Sequence, residues 1–130
     1  MAHTNSLFGI CPLTTVQIIV AGKWKLLIVY FIANGSTRFC TLRHRLPGCT
    51  QTMLTNQLRG LENDGLLTRT VYAEVPPHVE YSLTEAGEKL IPIIQKLAEW
   101  GVFFLKDVYP DMQAERASKI AKESEAMDAR

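Results

Sequence analysis

Between Thr50 and Thr84 the chain sets out, without spacers, a capped helix, a glycine stop and two strand-like runs joined at Pro76-Pro77. Few folds accommodate that order. Thr50 is a helix-capping residue by type, and Cys49 before it is placed to pack on Leu54 as a hydrophobic staple. Met53 stands where Glu or Gln would complete a capping box, so one side chain alone marks the start. At helical spacing Leu54, Leu58 and Leu61 share a stripe, while Thr52, Thr55, Asn56, Arg59 and Asn63 fall opposite. Gly65 then supplies the left-handed residue that ends a helix. The run from Leu67 to Val75 is rich in β-branched and aromatic residues, and Val79, Tyr81 and Leu83 alternate with His78, Glu80 and Ser82. This predicts an antiparallel pair. Pro76-Pro77 excludes a tight Asn-Gly hairpin and gives a stiff, looser tip.

Upstream, Cys40 to Leu46 is a short helical stretch carrying Arg43 and Arg45, and Leu46-Pro47-Gly48 is a turn. The fold class expected is α+β, mostly helical: helix, turn, helix, then a two-stranded wing. The polar face of the second helix suits base edges, since Arg forks onto guanine, Asn pairs with adenine and Thr offers a methyl or a hydroxyl. Gln51, Thr52, Thr55, Asn56 and Arg59 are therefore candidates to enter a major groove of double-stranded DNA. From Arg38 to Tyr72, five arginines (Arg38, Arg43, Arg45, Arg59, Arg69) stand against Glu62 and Asp64, whereas the whole chain is only +1. Arg43, Arg45 and Arg69 are thus candidates for backbone phosphates, with Lys25 near the start of its own helix as a further one. A merely solvated face, or a winged-helix module that binds a protein partner and no DNA, is the competing reading, supported by the weak net charge and by Glu74 and Glu80.

The residues resemble the HxlR-type winged helix-turn-helix transcription regulators of bacteria and archaea. The resemblance runs from Cys11-Pro12 through Gly22-Lys23-Trp24-Lys25, Arg38-Phe39, Leu46-Pro47-Gly48 and Met53-Leu54-Thr55 to the segment from Leu58 to Leu66. It continues through Arg69, Val71-Tyr72, Val75-Pro76-Pro77, the segment from Val79 to Thr84, Gly87 and Trp100. It implies a dimeric DNA-binding repressor or activator, often answering to a small reactive molecule. Three positions depart from the pattern: Cys40, Cys49, and His78 where Arg or Lys is usual on the wing. If His78 grips a phosphate, affinity should strengthen as pH falls toward about 6, where the ring gains charge.

At 130 residues and 47% hydrophobic, the chain can bury one modest core. We expect an N-terminal arm over residues 1–10, the winged helix-turn-helix domain with its dimerisation helices over 11–108, and a charged tail or short helix over 109–130. Val16 to Ala33 looks membrane-like to a hydropathy window, but Gly22, Lys23 and Lys25 divide it into two packed helices. No secretory signal pattern is visible, so a cytoplasmic location is expected. Three cysteines at unrelated spacings make no disulfide framework and no metal site, the histidines are isolated, and no catalytic motif occurs. No cofactor, no metal and no enzymatic activity are expected.

The helix opened by Thr84 should run to about Lys106, with a kink expected at Pro92. Leu90, Ile94, Leu97, Gly101, Phe104 and Val108 form its central stripe, flanked by Ile91, Ala98 and Leu105 on one side and Ile93 and Trp100 on the other. That arc is broader than the roughly 100° that covers one core. A second subunit is the expected cover, with Leu13, Leu90, Ile94, Leu97, Trp100 and Phe104 at the homodimer interface. The resemblance implies that this helix and the first, Leu13 to Val20, pair across a two-fold axis. Paired reading helices about 34 Å apart would then address a near-palindromic operator.

Cys11 precedes Pro12, a residue suited to the first turn of a helix, and so should lie at a helix N-terminus where a thiolate is favoured. The resemblance implies that a cysteine here senses oxidants or electrophiles. A small thiol that only packs against the dimer helix is the alternative, and a noncovalent ligand between the first helix and the dimer helix is the competing switch.

Overall fold

Trp24 and the apolar run that follows it nucleate the architecture, because Ile28, Val29 and Ile32 leave no polar face on their helix except its ends. The computed structural model describes residues 7–109 together with Arg116, Ser118, Lys119, Ala121 and Lys122, which are helical. Residues 1–6 of the expected arm, and most of the expected tail, lie outside the described residues. Within residues 7–109, five helices and one hairpin follow in order: α1 (Pro12–Ile19), α2 (Lys25–Ala33), α3 (Phe39–Arg45), α4 (Gln51–Asn63), β1 (Leu67–Tyr72), β2 (His78–Leu83) and α5 (Glu85–Asp107).

One core joins α2, α3, α4 and the hairpin's root. Ile28, Leu42, Leu46, Leu54, Leu58 and Leu61 are all essentially inaccessible, and Trp24, Cys49, Leu66, Leu67 and Ile94 close the rim. The Thr50 hydroxyl accepts from the Met53 N–H at 3.1 Å, and Cys49 is buried in the same cluster as Leu54. The end of α4 is equally well marked. Leu66 N–H donates to the Leu61 carbonyl and Gly65 N–H to that of Glu62, a Schellman closure around Gly65 at φ +81°.

The hairpin pairs in register, with Leu67 opposite Leu83, Arg69 opposite Tyr81, and Tyr72 opposite His78. β1 ends at Tyr72, three residues short of the expected strand, and a five-residue connection through Pro76-Pro77 follows. Beyond Val71↔Val79 the strand faces find no core, so cross-strand contacts alone support the tip. Tyr81 N–H also donates to the Thr37 carbonyl at 2.8 Å, which ties the wing to the segment ahead of α3.

Thr84 locks the wing to α5. Its hydroxyl accepts from Gly87 N–H at 3.2 Å and donates to the Gly65 carbonyl, while its own N–H reaches the Leu66 carbonyl at 3.0 Å. Helix α5 runs 23 residues with Pro92 inside it. Among the described residues no helix is long and apolar enough to cross a membrane.

Gly87 is the tightest joint in this assembly, since a Cβ there would collide with the Leu66 carbonyl oxygen and sit 3.3 Å from Leu83 Cδ2. Gly87→Ala should therefore destabilise the fold by about 1–3 kcal/mol, even though Ala favours helix by up to about 1 kcal/mol. The expected reading is a lower urea midpoint at unchanged slope. An unchanged midpoint would show that the start of α5 does not rest on the hairpin's root.

Candidate nucleic-acid interface

Sealing Leu54, Leu58 and Leu61 fixes the roll of α4 about its axis and turns the opposite face outward. Gln51, Thr52, Asn56, Arg59 and Asn63 are exposed there, and Thr55 is half-buried. The Thr55 hydroxyl donates to the Gln51 carbonyl at 2.9 Å, so its methyl and remaining lone pairs are what it offers outward. Met53, not among the residues expected to read DNA, is also exposed, one helical turn before Asn56. The signal was available, since Met53 falls off the leucine stripe at helical spacing.

The basic residues are distributed around this face. Arg43 and Arg45 are exposed in the last turn of α3, and the Arg45 guanidinium lies 5.7 Å from the Phe31 ring centroid. Arg69 is exposed on β1. Lys25 is half-buried, its stem lying across α4 so that Nζ is 3.3 Å from where a Cβ on Gly60 would be. This contact gives Gly60 a packing role inside a helix, and sets Lys25 beside α4 rather than on its outer face.

His78 is held within the wing. Its ring stacks on Tyr72 with centroids 4.6 Å apart and planes 17° from parallel, and its Nδ1 lies 3.0 Å from a Glu74 carboxylate oxygen. Glu80 receives a hydrogen bond from Tyr72, which together with its charge raises the phenol's pKa, and Arg38 Nε stands 3.8 Å from Glu80. A carboxylate therefore faces Nδ1 of the imidazole, which leaves Nε2 as the nitrogen a phosphate would contact. The sequence could name these residues but not their company, because the hairpin register decides it.

The apolar arc of α5 splits in two. Gly87 and Ile94 are buried and Leu90 and Ile91 pack against the protomer's own core, whereas Leu97 and Trp100 are 50% and 61% exposed, with Ile93, Phe103 and Leu105 exposed too. Phe104 is half-buried, its ring between those of Trp100 and Tyr109. No residue of α1 is buried, and Leu13 is 69% exposed. An apolar groove of about 480 Å³ lies between α2 and α5, lined by Leu26, Leu27, Tyr30, Ile94, Ala98 and Val102 among others.

Cys11 is the N-cap residue of α1 and Pro12 its first residue. Its side chain makes no capping hydrogen bond, but the nearby Thr14 side chain and backbone N–H, and to a smaller degree the Leu13 N–H, favour the thiolate and pull the thiol below its ordinary pKa, against the opposing effect of burial. Cys49 is the opposite case: burial pushes its thiol up, against the pull of Arg43 and Lys23. Cys40 is exposed on the first turn of α3, not at its cap. Among the described residues no group of His, Cys, Asp or Glu could hold a metal ion.

A family model described as HxlR-like helix-turn-helix matches residues 19–109. Among relatives, the HTH-type transcriptional regulator YkvN of Bacillus subtilis (strain 168) is 43% identical over 105 residues, which is 81% of this chain and 89% of that one. The HTH-type transcriptional regulator YdeP of the same organism is 45% identical over 117 residues, covering 90% of this chain and 91% of that one. Among solved structures, the redox regulator HypR in its reduced form matches with a TM-score of 0.71 at 44% identity, over 78% of this chain and 99% of that chain.

Because Thr14 and the start of α1 lower its pKa, Cys11 should alkylate with iodoacetamide at a lower pH than the same cysteine in the unfolded chain, and Cys49 should lag behind both. Peptide mapping by mass spectrometry over a pH series separates the three thiols. Thr14→Val should shift the Cys11 profile upward in pH. Coincident profiles for the folded and unfolded chain would remove the cap's influence.

Proposed function

The chain belongs to the HxlR-like helix-turn-helix family, and on that premise we propose a dimeric, thiol-responsive regulator whose α4 reads a near-palindromic operator. It is a DNA-binding transcription regulator and not an enzyme, as its family is. One observation supports the placement of the reading surface above the others: α4 keeps its leucines inward and presents Gln51, Thr52, Thr55, Asn56 and Arg59 beside a protruding hairpin. In the proposed complex these five residues enter the major groove, and Arg43, Arg45 and Arg69 hold phosphates on either side.

Two exposed apolar surfaces support the dimer. Helix α1 buries nothing in its own protomer, and α5 leaves Leu97 and Trp100 uncovered past the point where the core ends at Ile94. Pairing α1 and α5 with their copies would set two α4 helices about one DNA turn, roughly 34 Å, apart. Cys11 caps α1 and carries a lowered pKa, so reaction of its thiolate with an oxidant or electrophile would act at this interface. The redox regulator HypR, similar in fold and sequence, supports that assignment.

Arg59→Ala should weaken operator binding by about 1–3 kcal/mol and relax preference at one base pair. Arg43→Ala should weaken all sequences alike and flatten the log-log salt dependence by about 0.9. Titrations of selected and random duplexes at several salt concentrations separate the two classes. A protein with no salt-sensitive affinity for random duplex would instead be the partner-binding module that the acidic wing favours.

Replacing Trp100 with Glu puts a charge into the proposed interface, and sedimentation at micromolar concentration should shift from dimer to monomer. A dimer that persists would move the interface off α5.

A further inference from the structure

The face of α4 turned toward the wing opens onto a cleft of about 560 Å³, which four elements line: Phe39 from α3, Thr55, Arg59, Glu62 and Asn63 from α4, Arg69 from β1, and Val79 and Tyr81 from β2. Such a volume is ample for a small organic molecule. Neither the Arg59 nor the Arg69 guanidinium has a hydrogen bond or ion pair to another of the described residues. Both guanidiniums nevertheless act electrostatically on the Tyr81 hydroxyl, as does Glu62, so these groups converge on one space. Burial keeps that phenol in its protonated, hydrogen-donating form, more than the two arginines draw it down.

Two like charges facing one cleft repel each other until an anion lies between them. Glu62 offsets one of the two, leaving a net charge matched to a monoanion and unfavourable to a dianion. Guanidinium forks fit the planar oxygens of a carboxylate. The aromatic and aliphatic walls, Phe39, Val79 and the Tyr81 ring, would suit an apolar body attached to it, which a bare phosphate does not have.

We propose that the cleft between α4 and the wing binds a small organic carboxylate with an aromatic or aliphatic body, and that this ligand competes with DNA for Arg59 and Arg69. The competition rests on the DNA-binding role given above; the binding does not. By linkage the two ligands exclude each other reciprocally, so the carboxylate weakens the duplex as much as the duplex weakens the carboxylate.

Calorimetric titration of the full-length, duplex-free protein with benzoate, at constant ionic strength in chloride, tests the site. Saturable binding of one benzoate per chain is expected, about tenfold weaker in Arg69→Gln and in Arg59→Gln, and weaker to a smaller degree in Tyr81→Phe. Glu62→Gln should bind benzoate more tightly, a gain that misfolding cannot produce. Benzamide, which lacks the charge, should not saturate. Absence of saturable benzoate binding, equal binding of benzamide, tighter binding of inorganic phosphate, or loss of affinity in Glu62→Gln would each overturn the site. In a separate titration, benzoate should raise the apparent Kd for duplex in the wild-type protein. Protein that takes up benzoate but never binds duplex overturns the DNA reading and leaves the site standing, whereas protein that binds duplex but not benzoate does the reverse.

Discussion

Burial of Leu54, Leu58 and Leu61 against Trp24, Ile28, Leu42 and Leu46 is the interaction on which the rest of the molecule depends. Each leucine contributes about 1.5–3 kcal/mol by leaving water, and a rolled helix would forfeit that while forcing Asn56 or Arg59 into a core without partners for them. The helix can therefore sit in one orientation. Everything outward of it inherits that orientation, including the direction in which Gly65 releases the chain into β1. Because Thr84 then bonds the Gly65 carbonyl and caps α5 with the same hydroxyl, the reading face, the wing and the long helix share one joint.

Charge on the wing is organised differently from charge on α3 and α4. The tip carries Glu74 and Glu80, answered by His78 and Arg38, with Tyr72 between the two carboxylates. Exposed pairs of this kind contribute little individually, about 0–1 kcal/mol, so their effect is on shape rather than stability. They hold a hairpin whose tip, past Val71 and Val79, has only cross-strand contacts. A wing built this way has few unspent positive groups to offer phosphate, which in the proposed complex shifts that task toward Arg43, Arg45 and Arg69.

Much of this was legible in the sequence. Thr50, the three leucines, Gly65 and Thr84 act through local rules of capping and periodicity, and the structure places each in the role its residue type implies. The extent of β1 was not legible, because β-branched residues continue to Val75 while the pairing stops at Tyr72, and propensity cannot see where a partner strand runs out. The environments of His78, Lys25 and Tyr81 were hidden for a related reason. Each depends on a contact between segments distant in sequence: the Tyr72↔His78 register, the crossing of α2 over Gly60, and the meeting of Arg59 with Arg69 across the cleft. The breadth of the α5 arc could be read, but not its division into a half for the protomer's own core and a half left outside.

In the proposed dimer, that division sets how a change at Cys11 could reach the proposed DNA-facing surface. Cys11 caps a helix none of whose residues is buried in its own protomer, so whatever covers α1 must receive the effect of modifying the thiol. In the proposed dimer that cover is the partner's α1 and α5, and α5 is the element that Thr84 and Gly87 fasten to the root of the wing. A rigid 23-residue helix converts a small displacement near Trp100 into a rotation at its N-terminal joint, and paired α4 helices that must match one DNA turn tolerate little rotation. Cys49 has no comparable leverage. Its thiol lies in the core that fixes the roll of α4, where modification would disrupt packing rather than reset an angle, and burial raises its pKa and so disfavours the thiolate. The chain thus separates a thiol of lowered pKa, on a helix that buries nothing in its own protomer, from one of raised pKa under α4, the arrangement that the proposed thiol response would use.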